Sequence, residues 1–492
     1  MLDVGKILEM SLALTSEHDY DEILKKIISC AMELTNCEGG TLYLYRNDCL
    51  EFMVMRNIDP EVERRGGMVP PLAMDESKAC AYSAIHRALV NVPDVYQENG
   101  TFDFSGPKIY DQKFGCHTKS MLVFPLVNHE EKLVGVVQLL NARDKKNKLS
   151  TFTEEHEMLI QALASMAAVS LSNMQYIKQI KGLLHAVVNV FTNAIDTRTP
   201  YNYYHSKQVH DYVVLYMSYC NALYEKGRGT EHFDAVRKEQ LQLAALMHDI
   251  GKLVTPTEVM NKETRLVGKL DRMLHRFRYI GLLKKVAWLE GKCTREEYEA
   301  EVMYLQQAEV LVQKIDRADF LEEADANEVS KLAGRTYVDS DGTVLPYLEP
   351  EEQECLLIPK GTLTDTERET MNRHVVFTDR FLAAMNFDEH YKDVRAWAGK
   401  HHEYLNGTGY PHGLSGDEIP AEVRLLTIVD VYDALVSEDR PYKKAHTKEA
   451  ALGILNHMAE EGKLDRDILR CFQDALEWKE CDFCLKEEGD GE

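Results

Sequence analysis

The sequence predicts a multidomain protein. An N-terminal α+β domain, an antiparallel sheet with flanking helices, leads through a long connecting helix to a C-terminal all-α domain that carries an inserted, mainly helical subdomain. Three observations predict this. Strand-like runs gather in the first third of the chain, one helical pattern crosses residues 155–195 without a break, and from Pro200 to about 478 the pattern is almost all helical. The 492 residues suffice for two or three domains of ordinary size.

Residues 20–35 (YDEILKKIISCAMELT) carry apolar side chains at helical spacing. The runs GTLYLYR (40–46), LEFMVMRN (50–57), SMLVFPLV (120–127) and KLVGVVQLLN (132–141) read as strands, rich in β-branched and aromatic residues and separated by turn signals such as NHEEK. Phe152-Thr-Glu-Glu then opens a long helix, and the α+β domain is assigned to residues 1–175. The connecting helix, 155–195, threads on one alternating register: Leu159, Leu163, Met166, Ser170, Asn173, Ile177, Ile180, Leu184, Val187, Phe191 and Ala194. Such a heptad favours a two-stranded seam, in which a buried Asn173 would fix register, so a homodimer is expected. The alternative is that the stripe packs on the chain's own domains. Residues 263–358 stand apart from the helical domain around them. They open with mixed-charge helical sequence and close with TYVDSDGTVLPYLEP, where Asp341-Gly342 signals a hairpin. Residues 479–492 form an acidic tail.

Composition narrows the function classes. Hydrophobic residues make up 45% and charged residues 28%, as in soluble globular proteins. No apolar run reaches the roughly 18–20 residues that span a bilayer. The start, MLDVGKILEM, lacks a basic stretch followed by an apolar core. A cytoplasmic protein without membrane contact is expected. The net charge of −24 opposes broad binding to nucleic-acid polymers or anionic membranes. An anionic substrate would need local cations or metals. The eleven cysteines are scattered apart from Cys481-x-x-Cys484. One such pair alone is a weak zinc signal, and free thiols are expected.

Chemistry-bearing residues gather in the C-terminal half. In LAALMHDIGK the apolar run 241–247 reads as a buried helix that delivers His248-Asp249 at its C-terminal end. An unpaired buried carboxylate is very costly, and a divalent cation satisfies both side chains. RLLTIVDVYDALV sets Asp430 and Asp433 in an apolar helix. A local cap or ion pair accounts for Asp433, whereas Asp430, directly after Ile-Val, needs a stronger partner. His205 in PYNYYHSKQV, His374 in TERETMNRHVVF and His401-His402 in HHEYLNGTGYP complete the set. Each histidine taken singly is more often structural. Together, imidazole and carboxylate suit Fe, Mn or Zn, and six or more ligands exceed what one tetrahedral ion needs, so two ions are expected.

Two families are resembled. VPDVY (92–96), SMLVFPLV, GVVQLLN and FTEEHEMLIQALASMAAVSLSN (152–173) resemble a GAF domain. The resemblance implies a small-molecule ligand, which the sequence does not name. GAF domains that bind cyclic nucleotides carry an Asn-Lys…Phe…Asp-Glu pattern. Here Asn141, Phe152 and Glu157 are present, but Ala142 and His156 replace the Lys and Asp, which speaks against a cyclic nucleotide.

The second resemblance rests on His-Asp with Gly-Lys (248–252), the later His, HHE-x-x-N-G-x-GYP and D-x-x-D-A-L…RPYK. These resemble the HD-GYP branch of the HD superfamily over 196–262 and 359–478. The resemblance implies a helical, metal-dependent phosphodiesterase domain, 196–478, that hydrolyses cyclic dinucleotides, chiefly cyclic di-GMP, to linear pGpG and in some members on to GMP. It implies the metal ligands His205, His248, Asp249, His374, His401, His402 and Asp430, with Asp249 bridging two divalent ions. Fe or Mn is expected, with Zn, Mg or Ni as alternatives. Catalytic roles fall on Asp249 and on Lys252, facing the scissile phosphate or its nucleophile. Lys252 or a metal-held water would protonate the leaving oxygen. Arg440 and Lys443 would hold phosphates, the one by a planar fork and the other as a point charge. Gly409, Tyr410 and Pro411 would line the substrate. Tyr201 stands where some members carry a Glu that supports a third metal, so two ions and pGpG are expected. Asn406 replaces the usual Asp of HHE-x-x-D, keeping a hydrogen-bonding group and dropping a charge. Two other readings stand beside this: an HD-type phosphohydrolase of another nucleotide or phosphate ester, and a non-catalytic cyclic-dinucleotide sensor.

The chain departs from the family by an insertion. Asp249 and His374 stand 125 positions apart, and the family's short link is split between PTEVMNK (256–262) and PKGTLTDTE (359–367). Residues 263–358 are expected to form a helical subdomain with a hairpin beside the mouth of the site, with His275 an ordinary helix residue.

Overall fold

The computed structural model describes residues 9–10, 12–14, 17, 19–60, 63, 70–97, 100–198, 204–437 and 445–487. Tyr201, Arg440 and Lys443 lie outside the described residues, as do the side chains of Cys481 and Cys484. The chain divides into two compact units, Met1–Leu184 and His185–Glu492.

In the first unit, helix α1 (Tyr20–Thr35) starts where the Asp19 carboxylate accepts from the amides of Asp21 and Glu22. It ends at Asn36, which takes the left-handed conformation with φ 46°. Ile23, Leu24, Ile27, Ile28 and Ala31 form its buried face. Six strands follow in an antiparallel sheet of order β3-β2-β1-β6-β5-β4. These are β1 (Cys37–Arg46), β2 (Cys49–Asn57), β3 (Leu72–Ala73), β4 (Val90–Val92), β5 (Met121–Val127) and β6 (Leu133–Ala142). The two-residue side-chain period divides the sheet into two faces. Leu42, Leu44, Leu122, Phe124, Leu126, Val137 and Leu139 join the core built with α1. Tyr43, Met121, Val123 and Val136 join the opposite core, with helix α2 (Ala79–His86). On that side lies a cavity of about 300 Å³, walled in part by Tyr43, Phe52, Lys78, Cys80 and Phe104. Helix α3 (Ser105–Phe114) lies between β4 and β5 in the chain. The strand runs read from the sequence correspond to β1, β2, β5 and β6. The edge strands β3 and β4, two and three residues long, are too short to show a periodicity.

The partial nucleotide-binding pattern is occupied with structural work. Asn141, at φ 62°, donates through Nδ2 to Glu38 Oε2 at 2.7 Å and to His117 O at 2.8 Å, and accepts from Lys119 N at 2.7 Å. Glu157 Oε1 accepts from Asn91 Nδ2 at 2.7 Å, and Phe152 is buried in the core beneath α1.

Helix α4 (Glu154–Asp196) begins at Thr153, whose Oγ1 accepts from His156 N. Its apolar stripe divides. Leu163, Ala167 and Leu171 pack into the core beneath α1, whereas Asn173 is exposed and Ile177 and Ile180 are 51% and 67% exposed. Within the chain, the first half of the register therefore belongs to the sheet. No helix among the described residues is long and apolar enough to cross a membrane.

The second unit is helical. Helices α5 (His205–Glu225) and α6 (Ala235–Met247) lead into a short 3-10 turn (Ile250–Val254) and α7 (Thr257–Met260). Then come α8 (Leu270–Leu289), α9 (Arg295–Asp316), α10 (Glu323–Ala333), the hairpin β7 (Thr336–Val338) with β8 (Val344–Pro346), and α11 (Pro350–Leu356). The hairpin turns through Asp341-Gly342 with Gly342 at φ 89°, a conformation glycine adopts without a Cβ penalty. This segment has its own core, including Phe277, Ile280, Val312, Ile315, Val329 and Leu356. After it come α12 (Asp365–Asn372), α13 (His374–Ala384), α14 (Val394–Ala398), α15 (Ala421–Val436), α16 (Lys448–Glu460) and α17 (Arg466–Glu487).

The segment leaves and returns through one neck. Lys262 Nζ pairs with Glu367 at 2.7 Å, and Thr362 Oγ1 donates to Lys262 O at 3.0 Å. The fully buried Arg265 guanidinium donates to the carbonyls of Leu356, Ile358 and Ala318, so one side chain ties three passes of the chain. Arg265→Ala strands three carbonyls. Unfolding of the 263–358 segment, followed by urea titration with hydrogen exchange, is expected to become easier by roughly 3 kcal/mol; unchanged protection would refute the clamp.

Candidate metal centre

The centre is built at helix ends. Helix α6 stops at Met247, which leaves His248 at its C-cap and Asp249 at the head of the 3-10 turn. That turn presses against α13: a Cβ on Gly251 would lie 1.8 Å from His374 O. Glycine is thus required here by close backbone approach. Thr378 on α13 fastens the contact, its Oγ1 donating to His248 O at 2.9 Å and accepting from Gly251 N at 3.0 Å. Arg198 donates to the carbonyls of Lys252, Leu253 and Thr255 and holds the turn from the other side.

His205 opens α5, His374 opens α13, Asp430 sits mid-way along α15, and His401-His402 follow α14. The structure brings all seven of the expected ligands together. Exposure runs from 0% for His401 to 8% for Asp430, with His402 half-buried. Candidate ligand atoms form two groups, His205, His248 and Asp249 in one and His374, His401 and His402 in the other, each with its atoms within 4.8 Å of one another. Asp249 faces both. Its Oδ2 lies 3.5 Å from His205 Nε2 and 3.4 Å from His248 Nε2, and its Oδ1 lies 3.3 Å from His374 Nε2 and 3.9 Å from His401 Nε2. Asp430 straddles them similarly, Oδ1 at 3.2 Å from His205 Nε2 and Oδ2 at 3.7 Å from His402 Nδ1.

Backbone carbonyls set the tautomers. The Nδ1 atoms of His248, His374 and His401 donate to the carbonyls of Ala245, Met371 and Ala398, each at 2.7 Å. A carbonyl only accepts, so each neutral ring presents a lone pair at Nε2. His205 Nδ1 donates instead to Asp433 Oδ2 at 2.6 Å. Asp433 is fully buried; it orients the imidazole rather than capping its own helix. Sequence reading gave Asp433 a local role because its partner lies 228 positions away. Thr427, whose Oγ1 donates to His401 O at 2.7 Å, escaped notice for the same reason.

Charge divides the histidines. Burial pushes His205 down, but the carboxylates of Asp249, Asp430 and Asp433 hold it well above its ordinary value. Burial also opposes protonation of His248, yet Asp249 and Asp430 raise it to about 9. Burial dominates at His374, lowered to about 4, and at His401, well below the usual range. Burial raises Asp249 and Asp430, but Lys252 and His248 hold the first, and His205 and His248 the second, well below the usual carboxylate range.

These residues fit a divalent ion. His374 Nε2, His401 Nε2 and Asp249 Oδ1 are buried and have no hydrogen-bond partner. His374 stays neutral with its proton on Nδ1, so an imidazole lone pair and a carboxylate oxygen face each other at 3.3 Å. Only a positive charge between them relieves that contact.

Lys252 Nζ pairs with Asp249 Oδ2 at the edge of the centre. In the loop after His402, a Cβ on Gly409 would lie 2.4 Å from Tyr404 N, so Gly409 too serves close packing, while Gly407 takes φ 76°. Tyr410 packs against His402 in a tilted arrangement with ring centroids 4.8 Å apart, and Pro411 follows it. The buried Glu403 carboxylate, not singled out from sequence, accepts from His412 N at 2.7 Å and Leu414 N at 2.9 Å and holds the loop closed. His275, exposed on α8, lies outside both ligand groups.

Two family descriptions match the chain: a GAF domain over residues 19–171 and an HD domain over residues 348–468. The chain therefore carries a GAF domain followed by an HD domain. The HD match takes in His374, His401, His402 and Asp430 but stops short of His205, His248 and Asp249, which lie on the far side of the inserted segment. Among curated relatives, the 3'3'-cGAMP-specific phosphodiesterase 3 of Vibrio cholerae is 38% identical over 101 residues, 20% of this chain and 21% of that protein. The cyclic di-GMP phosphodiesterase response regulator RpfG of Xanthomonas campestris is 40% identical over 112 residues, 23% of this chain and 28% of that protein. A cyclic di-GMP phosphodiesterase of Thermotoga maritima is 28% identical over 209 residues, 39% of this chain and 56% of that protein. The chain thus spans less than two thirds of each.

Asp433→Asn keeps the side chain's shape but loses the charge that orients His205. Affinity for Mn(II), measured by competition with a chromophoric chelator, is expected to fall by about 10–100-fold; an unchanged affinity would remove Asp433 from the centre's support.

Proposed function

We propose that the chain is a metal-dependent phosphodiesterase that opens a cyclic dinucleotide, chiefly cyclic di-GMP, to linear pGpG, under the control of its GAF domain. One observation carries the reading. Two buried histidine groups converge on the opposite oxygens of one carboxylate, and on the His374 side a lone pair faces a lone pair. The names of the relatives support it, since all three act on cyclic dinucleotides.

Two divalent ions held between the groups, Fe or Mn, would lower the pKa of a water and neutralise charge on the phosphoryl oxygens. The chain's own residues do the rest. Asp249 and Asp430 offer one oxygen to each side and set the spacing of the two halves. Lys252 carries its ammonium to the edge of the centre, faces the scissile phosphate and gives a proton to the leaving oxygen. Burial excludes bulk water and strengthens each of these interactions. Arg440 and Lys443 grip phosphate, and the packed loop at Tyr410-Pro411 forms a wall of the site.

The small-molecule ligand of the GAF domain would occupy the cavity beside Tyr43, Phe52 and Phe104. Ile177, Ile180, Val187 and Phe191, exposed at alternating spacing on α4, support a cytoplasmic homodimer paired along this helix. The inserted segment would stand beside the mouth of the site. Arg368 donates to Lys360 O, just past the end of that segment, and also lines the recess beside Tyr410 and Pro411.

Anaerobically purified protein loaded with Mn(II) or Fe(II) is expected to convert cyclic di-GMP to pGpG, and His374→Ala to lose more than about a hundredfold in kcat. Failure to hydrolyse any cyclic dinucleotide would overturn the reading. Deleting residues 264–358 is expected to change kcat/KM for the dinucleotide; unchanged kinetics in the folded deletion would assign the insertion a role outside catalysis.

A further inference from the structure

A recess of about 320 Å³ adjoins the centre on the side of Tyr410 and Pro411. Its opposite wall is α12 with its C-cap, Asp365, Arg368, Glu369, Asn372 and Arg373, and then Val376; Arg368/Asn372 and Glu369/Arg373 make two i,i+4 rows side by side. The recess is joined to the centre at both edges. Arg373 precedes His374 in the chain, and the Tyr410 ring packs against His402.

Some arginines of the same unit are ion-paired, as Arg237 is with Glu422, Arg395 with Asp379 and Arg424 with Asp465, and others, such as Arg198 and Arg265, are spent on backbone carbonyls. Among the described residues neither Arg368 nor Arg373 makes an ion pair. Arg368 donates to Lys360 O at 3.3 Å, and Arg373 lies over the Phe377 ring at 5.6 Å. Both guanidiniums are exposed on the recess, so their donors are open to a ligand-side acceptor.

We propose that this wall selects a guanine base of the substrate. The inference rests on the cyclic-dinucleotide phosphodiesterase reading and names a specificity determinant within it. The chemistry separates a base from a phosphate. A phosphate offers only acceptors, and Glu369 beside the arginines would repel it. Guanine offers both kinds of group: O6 and N7 accept from a guanidinium fork, and N1–H and the 2-amino group donate to a carboxylate or an amide oxygen. Tyr410 and Pro411 supply an apolar wall for the ring face. Adenine places an amino group where guanine has O6 and meets the guanidinium donor to donor. Asn372 alone would accept adenine, and the two arginines outweigh it.

The test uses the full chain loaded with Mn(II). Steady-state kinetics are measured on cyclic dinucleotides with two guanines, one guanine and one adenine, or two adenines. Wild type is expected to favour guanine. Arg373→Ala is expected to lower kcat/KM on the two-guanine substrate by about tenfold or more, mainly through KM, and to narrow the guanine-to-adenine ratio by the same factor. Arg368→Ala and Glu369→Gln, which keep Arg373 in place, are expected to narrow the ratio independently. An equal loss on all three substrates marks a phosphate contact and overturns the guanine assignment. So does an unchanged ratio in all three variants, or an adenine preference in wild type. Absence of turnover on every substrate by wild type overturns the phosphodiesterase reading instead, and the assignment with it.

Discussion

The helical unit is organised around one buried carboxylate. Asp249 holds Oδ2 toward His205 and His248 and Oδ1 toward His374 and His401, whose Nδ1 protons go to carbonyls and leave bare Nε2 atoms against the carboxylate. Such an arrangement is electrostatically untenable in a low-dielectric interior without cations. Much of the local structure answers that demand. The threonines Thr378 and Thr427 fasten ligand-bearing backbone, Asp433 turns His205, and Gly251 and Gly409 bring chain segments closer than any side chain would allow. Helix ends suit the task because a residue at a terminus can aim its ring inward while the preceding turn supplies the carbonyl for Nδ1.

The 263–358 segment shows how little a long excursion disturbs such a centre. Loop-closure entropy grows only with the logarithm of length, so a segment between two ligand-bearing elements costs little if its ends meet. Here they do meet, clamped by Arg265 and by the Lys262–Glu367 pair, and the segment's own core covers the cost of ordering it. The clamp is also what lets His374 return to the turn that carries Asp249.

The GAF domain follows a different logic. Its sheet is covered on both faces, and the two-residue period assigns each strand residue to one core or the other. Asn141 and Glu157 serve as ties here: Asn141 joins Glu38, His117 and Lys119, and Glu157 holds Asn91. In α4 the same heptad serves two environments, the sheet up to Leu171 and an exposed surface beyond it.

The sequence by itself determined what is local. Long strands, amphipathic helices, the Asp341-Gly342 hairpin and the need for a partner at His248-Asp249 and Asp430 follow from periodicity, turn chemistry and the cost of burying charge, all of which act over a few neighbouring residues. Tertiary structure alone decided what depends on distant partners: the division of Asp249 between two histidine groups, the His205–Asp433 contact, the clamps of Arg198 and Arg265, the hold of Glu403 on its loop, and the recess between α12 and Tyr410. A side chain's periodicity says that it is buried, but not which atom it meets. That meeting is fixed by packing between elements up to hundreds of residues apart, where no local pattern leaves a trace.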